Sequence, residues 1–98
     1  MVWKGKYSIE EVTALVEGAE ELRGWETKAW ILVRLIDMWR AYAHLTREHR
    51  EAVFLVGMHG LSTRAASPYI GVSHTTVAKR YTQGLTTMVK YLNGERHS

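Results

Sequence analysis

Residues 62 to 93 read STRAASPYIGVSHTTVAKRYTQGLTTMVKYLN, and the punctuation of this stretch decides the fold. Ser62 carries a hydroxyl suited to cap a short helix, and Gly71 supplies the left-handed residue that stops it. Ser73 then caps a second helix that can run unbroken to Asn93. A short helix, a turn of about three residues carrying glycine and a longer helix make the pattern of a helix-turn-helix. Val77, Tyr81, Leu85, Met88 and Leu92 follow helical spacing and are expected to face inward, with Val72 plugging the space between the helices and forming a staple with Val77. His74, Thr75, Ala78, Lys79 and Thr82 fall on the opposite face.

Upstream, helical periodicity continues. Thr46 is the expected cap of a helix through Ala52, Val53, Phe54 and Val56 toward Gly57 and Gly60. Near the start, Ser8 and Glu11 form a capping box, with Tyr7 and Val12 in the staple positions. Ile9, Val12, Leu15, Val16, Ala19 and Leu22 recur at spacings of three and four, predicting an amphipathic helix from about Ser8 to Arg23 stopped at Gly24. A further helix is predicted from about Trp25 to Ala43. Its polar residues, Thr27, Lys28, Arg34, Asp37, Arg40 and His44, form a narrow stripe, leaving apolar side chains over most of the circumference. Either this is the central helix of the domain, or part of it packs on another chain, because large exposed apolar patches are rare on monomers. The second reading gives a homodimer through Trp30, Val33, Ile36 and Trp39. The expected fold is thus all-α: one domain over residues 1–98, with five helices, a helical hairpin over 7–44 that is the candidate oligomerisation element, and a helix-turn-helix unit over 45–94.

Ninety-eight residues suffice for one small core, which excludes a multidomain enzyme. Cysteine is absent, so disulfides, thiolate metal sites and cysteine nucleophiles are excluded, and the core must be held by packing alone. The longest apolar stretch, Ala29 to Tyr42, is interrupted by Arg34, Asp37 and Arg40 and falls short of a membrane span. The first residues lack the apolar run of a signal peptide, and a cytoplasmic location is expected. The net charge of +3 is unevenly spread. Between Gly57 and Gly94, Arg64, Lys79, Arg80 and Lys90 face no acid in the sequence. A basic C-terminal half suggests a polyanionic partner.

Other chemistries find little support. His44 and His49 lie five apart, not at the three- or four-residue spacing that shares one helix face, and no metal-binding spacing joins them to His59, His74 or His97. Asp37, the only aspartate, reads as a helix-surface charge near Arg34 and Arg40. The glycines occur singly and form no phosphate-cradling loop. Trp25, Trp30 and Trp39 could stack on bases but lie in the acidic half, which favours core or interface. No enzymatic activity, cofactor or metal is expected.

The stretch from Arg50 to Leu85 resembles region 4 of bacterial RNA polymerase sigma factors. Arg50-Glu51-Ala52-Val53-Phe54-Leu55, then Gly60-Leu61-Ser62, then Ile70-Gly71-Val72-Ser73, Thr76-Val77 and Arg80 fit, without a gap, that family's approximate R-E-V-x-x-L, G-L-S and L-G-I-S-x-x-T-V-K-S-R-L. The resemblance implies a helix-turn-helix that binds promoter DNA and contacts the flap of the polymerase beta subunit. Two positions depart from the pattern: Pro68 stands where the family has a polar helix former and is expected to kink its helix, and Ala78 replaces a basic residue. Residues 1 to 44 show no counterpart of region 2, so the chain corresponds to a sigma-like fragment, of the kind a phage or mobile element encodes.

The expected function is therefore a sequence-specific, duplex-DNA-binding transcriptional regulator. The helix from Ser73 would enter the major groove with His74, Thr75 and Lys79 toward the bases, while Ser62, Arg64 and Arg80 hold phosphates. Two alternatives stay open. One is a protein-interaction module that binds RNA polymerase or another protein without DNA readout; the other is a phage DNA-packaging protein resembling a terminase small subunit.

Overall fold

The computed structural model describes residues 7–19 and 29–94, and of residues 29–31 the backbone alone. Every described element is helical. Ser8 begins the first, α1 (Ile9–Glu17), with both halves of the capping box in place: the Glu11 amide donates to Ser8 Oγ at 3.1 Å, and the Ser8 amide donates to Glu11 Oε1 at 3.1 Å. Val12 and Val16 are fully buried on its inner face, Tyr7 joins the same cluster as the staple requires, and Ile9 is exposed at the helix start. The helix ends at Gly18, six residues before the expected stop, because Gly18 itself serves as the C-cap. Gly24, and the start of the next helix at Trp25, lie outside the described residues.

Helix α2 (Ala29–His44) buries one seam, Leu35, Met38 and Ala41, continued by Leu45 beyond its end. Thr46 then caps α3 (Arg47–Ala52), accepting from the His49 amide at 3.3 Å. The sequence expectation of continued α-helix from here differs from the structure: Val53–Met58 form a π-helical turn, closed by the His59 amide on the Phe54 carbonyl at 2.9 Å. The wider turn directs Val53, Gly57 and Met58 into the core and leaves Phe54 partly in solvent, its ring packed edge-on to His59 at 4.5 Å. Gly57 is needed here, since a Cβ would collide with Val16 Cγ1 and press on the Tyr81 ring.

Ser62 caps α4 (Thr63–Ile70), and Ser73 caps α5 (His74–Leu92). The α4 helix is continuous across Pro68. Proline deletes the amide that would bond to the Arg64 carbonyl, but Pro68 and Arg64 are both exposed, so that carbonyl lies on the solvent side of the helix. Gly71 sits at φ 87°, ψ 21°, the left-handed stop that its position predicts. The Ser67 hydroxyl donates to the Val72 carbonyl across the turn, tying the end of α4 to the start of α5.

Helix α5 is the shared support: α1, α2, α3, the π turn and α4 all pack against it. Its buried side, Val77, Gly84, Leu85 and Met88, follows the predicted spacing, and Tyr81 and Leu92 are half-buried beside it. One buried cluster runs from Tyr7 through Val12, Val16, Leu35, Met38 and Val53 to Leu85 and Met88, so both halves of the chain contribute to the same core. Asn93 fastens the two ends of the described chain: its Nδ2 donates to the Tyr7 carbonyl at 3.0 Å and its Oδ1 accepts from the Tyr7 amide at 2.7 Å.

Candidate nucleic-acid interface

The side of α5 away from the core is built from short polar and basic side chains. Its buried residues occupy one face, so helical geometry sends Thr75, Ala78, Lys79, Thr82, Gln83, Thr86 and Lys90 outward, and all seven are exposed. His74 differs from its sequence expectation in degree, being half-buried at the helix start. Arg64 is exposed on α4, which packs against α5, and Arg80 is half-buried on α5, next in sequence to Lys79. Among the described residues no carboxylate pairs with Arg64, Lys79 or Arg80; the ion pairs lie elsewhere, between Arg34 and Glu11 at 3.0 Å and between Arg47 and Glu51 at 3.2 Å. Cations without a carboxylate partner raise the local positive potential, the electrostatic requirement for a polyanion.

The two capping serines each accept a backbone amide. Ser62 Oγ accepts from the Ala65 amide at 3.0 Å and Ser73 Oγ from the Thr76 amide at 3.2 Å, which uses lone pairs and leaves the hydroxyl protons. Around Ser73 those protons have local partners, because its Oγ lies 3.1 Å from Thr75 Oγ1 and 3.0 Å from Thr76 Oγ1. Neither α4 nor α5 carries an acid in its first turn, so no side chain of either helix's own first turn offsets the positive end of its dipole.

No protein-family model, curated protein or solved structure matches this chain. Its functional reading therefore rests on its own residues.

A second exposed surface lies on α2. Leu32, Val33, Ile36 and Trp39 are 50%, 48%, 47% and 40% exposed, large values for apolar side chains that neighbour one another on a helix. Of the four residues expected at an oligomer contact, Val33, Ile36 and Trp39 fall on this face; the Trp30 side chain lies outside the described residues. The described core thus uses only a seam of α2, and among the described residues none covers the helix on this side.

The polar cluster beneath α1 was not anticipated. Asp37 is not a simple surface charge, since its Oδ2 accepts from the Tyr7 hydroxyl at 2.9 Å, and Arg34 lies 5.4 Å over the Tyr7 ring while pairing with Glu11. Burial, then the bond to Asp37, pushes the Tyr7 phenol well above its ordinary pKa. Tyr81 is pushed up to about 12 by burial and by the Glu17 carboxylate, 3.4 Å from its hydroxyl. Burial raises Tyr42 as well. These tyrosines are neutral structural donors rather than acids or bases poised near neutrality. Among the described residues, no group of three or more His, Cys, Asp or Glu side chains is placed to hold a metal ion, and no helix is long and apolar enough to cross a membrane.

Proposed function

We propose that the protein is a duplex-DNA-binding regulator that lays the exposed face of α5 in the major groove. The observation that carries this is the acid-free exposed face of α5 with Lys79 on it, together with Arg64 and Arg80 on the two packed helices α4 and α5, none of the three paired with a carboxylate among the described residues. Lys79 stands at the centre of that face. Arg64 and Arg80 would hold phosphates together with the Ser62 hydroxyl, fixing register while the face reads sequence. The helix-turn-helix arrangement expected from sequence is supported by the capped α4, the left-handed Gly71 and the capped α5, and the likeness of Arg50 to Leu85 to sigma region 4 points the same way.

The exposed face of α2 supports an assembly. A second copy against Val33, Ile36 and Trp39 would cover apolar side chains that water now meets, and two copies would present two α5 helices to two half-sites, as symmetric regulators do. If instead a different protein covers this face and duplex DNA is not bound, the molecule is an interaction module.

Binding of the purified chain to a random duplex pool at low salt tests the proposal. Arg64→Ala and Arg80→Ala are each expected to weaken all sequences alike and to flatten the salt dependence by about one unit. Unchanged binding and salt slope in Arg64→Ala and Lys79→Ala would overturn it.

A further inference from the structure

The exposed face of α5 continues well past the first turns that sequence reasoning assigned to base contact. Thr75, Lys79, Thr82, Gln83, Thr86 and Lys90 are all exposed. At about 100° per residue they fall along one line of the helix, opposite Val77, Gly84, Leu85 and Met88. Lys79 to Thr86 spans about 10 Å at 1.5 Å per residue, about three base-pair steps. The line contains hydroxyls, an amide and ammonium groups, with no carboxylate and no large apolar side chain to keep a duplex away.

The first turn is organised differently from the turns that follow. There the hydrogen-bonding groups are turned toward one another: Ser73 Oγ serves the Thr76 amide and lies within hydrogen-bond distance of both the Thr75 and Thr76 hydroxyls, and His74 is half-buried. In contrast, among the described residues Lys79, Thr82, Gln83 and Thr86 have no side-chain hydrogen-bond or ion-pair partner. Their donors and acceptors are uncommitted and point to solvent.

We infer that α5 reads DNA side-on rather than by its tip, with Lys79, Thr82, Gln83 and Thr86 against the base edges and Gln83 pairing with an adenine; this rests on the DNA-binding function proposed above. Spacings of i, i+3, i+4 and i+7 place four side chains in one patch, which a helix lying lengthwise in the major groove presents to successive base pairs. Gln83 is the discriminating member. Its amide can donate to adenine N7 while its carbonyl accepts from N6, a pairing that no other base offers in the major groove. Lys79 is the natural partner of guanine O6 and N7 one turn earlier, and the threonine hydroxyls and methyls adapt to either neighbour.

Selection of duplexes from a random pool by the full-length wild type, followed by titration of the selected site and its single-base variants, tests the inference. Gln83→Ala is expected to reduce discrimination at one adenine by about 5- to 100-fold, and Gln83→Arg to shift preference at that position toward guanine. Thr75→Ala should leave the preference nearly unchanged. Both side chains are exposed, so unaltered far-ultraviolet circular dichroism confirms that the variants fold. If the Gln83 variants keep the wild-type preference while His74→Ala or Thr75→Ala changes it, the helix reads by its tip; side-on reading is then overturned and DNA binding stands. If the wild type binds no duplex at low salt, DNA binding itself fails, and the side-on inference with it.

Discussion

Replacing Gly84 by alanine sets two effects of known size against each other. Alanine is about 1 kcal/mol better than glycine in a helix interior, so on an open face the change would stabilise. Gly84 is not on an open face: a Cβ there would stand 2.7 Å from Val53 Cγ2, against ordinary contacts of 3.4 Å and 3.5 Å to the Cβ and carbonyl oxygen of His49. Val53 is fully buried in the π turn and β-branched, so it has little rotamer freedom with which to withdraw by the roughly 1 Å required. Overpacking of this kind costs about 1–3 kcal/mol, which outweighs the propensity gain and leaves a net loss of about 1 kcal/mol. Urea denaturation followed by circular dichroism would show this as a midpoint lowered by about 0.5–1 M. The decisive comparison is the Val53→Ala background. There the obstructing methyls are gone and the new one fills part of the vacated space, so Gly84→Ala should stabilise by about 1 kcal/mol, a coupling of about 2 kcal/mol between the sites. A stabilising effect in the wild-type background, or the same effect in both, would refute the close approach of α3 and the π turn to α5 at Gly84.

Gly71→Ala meets no atom within 4 Å, so its cost is backbone conformation alone, about 1–2 kcal/mol, and thermal melting should fall by several degrees, more for Gly71→Val and least for Gly71→Asn. Tyr7→Phe removes the bond to Asp37 and should cost about 1 kcal/mol in the same assay, and an unchanged midpoint would show that the Asp37 contact carries no stability. Tyr81 has a folded pKa above its unfolded value of about 10, so its contribution is fully present below pH 10 and is lost as pH rises toward about 12. Stability should therefore fall over that window, and less steeply in Tyr81→Phe. Sedimentation at micromolar concentrations should give twice the mass of the 11.2 kDa chain, reverting to a monomer in Ile36→Glu; a wild-type monomer throughout would remove the second copy from the account.

What could be read in the sequence was local. Ser8, Thr46, Ser62 and Ser73 each cap a helix through an amide three residues on, and Gly71 adopts the one conformation that a short turn between two helices demands. The inward spacing of Val77, Leu85 and Met88 was equally plain, because period alone assigns a face. The early end of α1 could also have been read, since Gly18 interrupts the pattern, but the apolar residues continuing past it, Ala19 and Leu22, outweighed one glycine. Features set by distant partners were not legible. The π turn depends on how Gly57 meets Val16 and Tyr81, residues far from it in sequence. The Tyr7 bonds to Asp37 and Asn93 join positions 30 and 86 residues apart. The inward turn of the first hydroxyls of α5 left no trace in residue type, so His74 and Thr75 read as well for base contact as Gln83, which only exposure and lack of partners bring forward.

The salt dependence of duplex binding tests the central claim most directly. If Arg64 and Arg80 each neutralise a phosphate and the Lys79 ammonium adds its charge beside the backbone, the logarithm of affinity should fall with the logarithm of salt with a slope of about −2 to −3 per copy, and the triple alanine variant should lose most of that slope while keeping its fold. A wild-type chain that binds no duplex at low salt, or a triple variant whose slope matches the wild type, would contradict the proposal that α5, with Arg64 and Arg80, binds DNA.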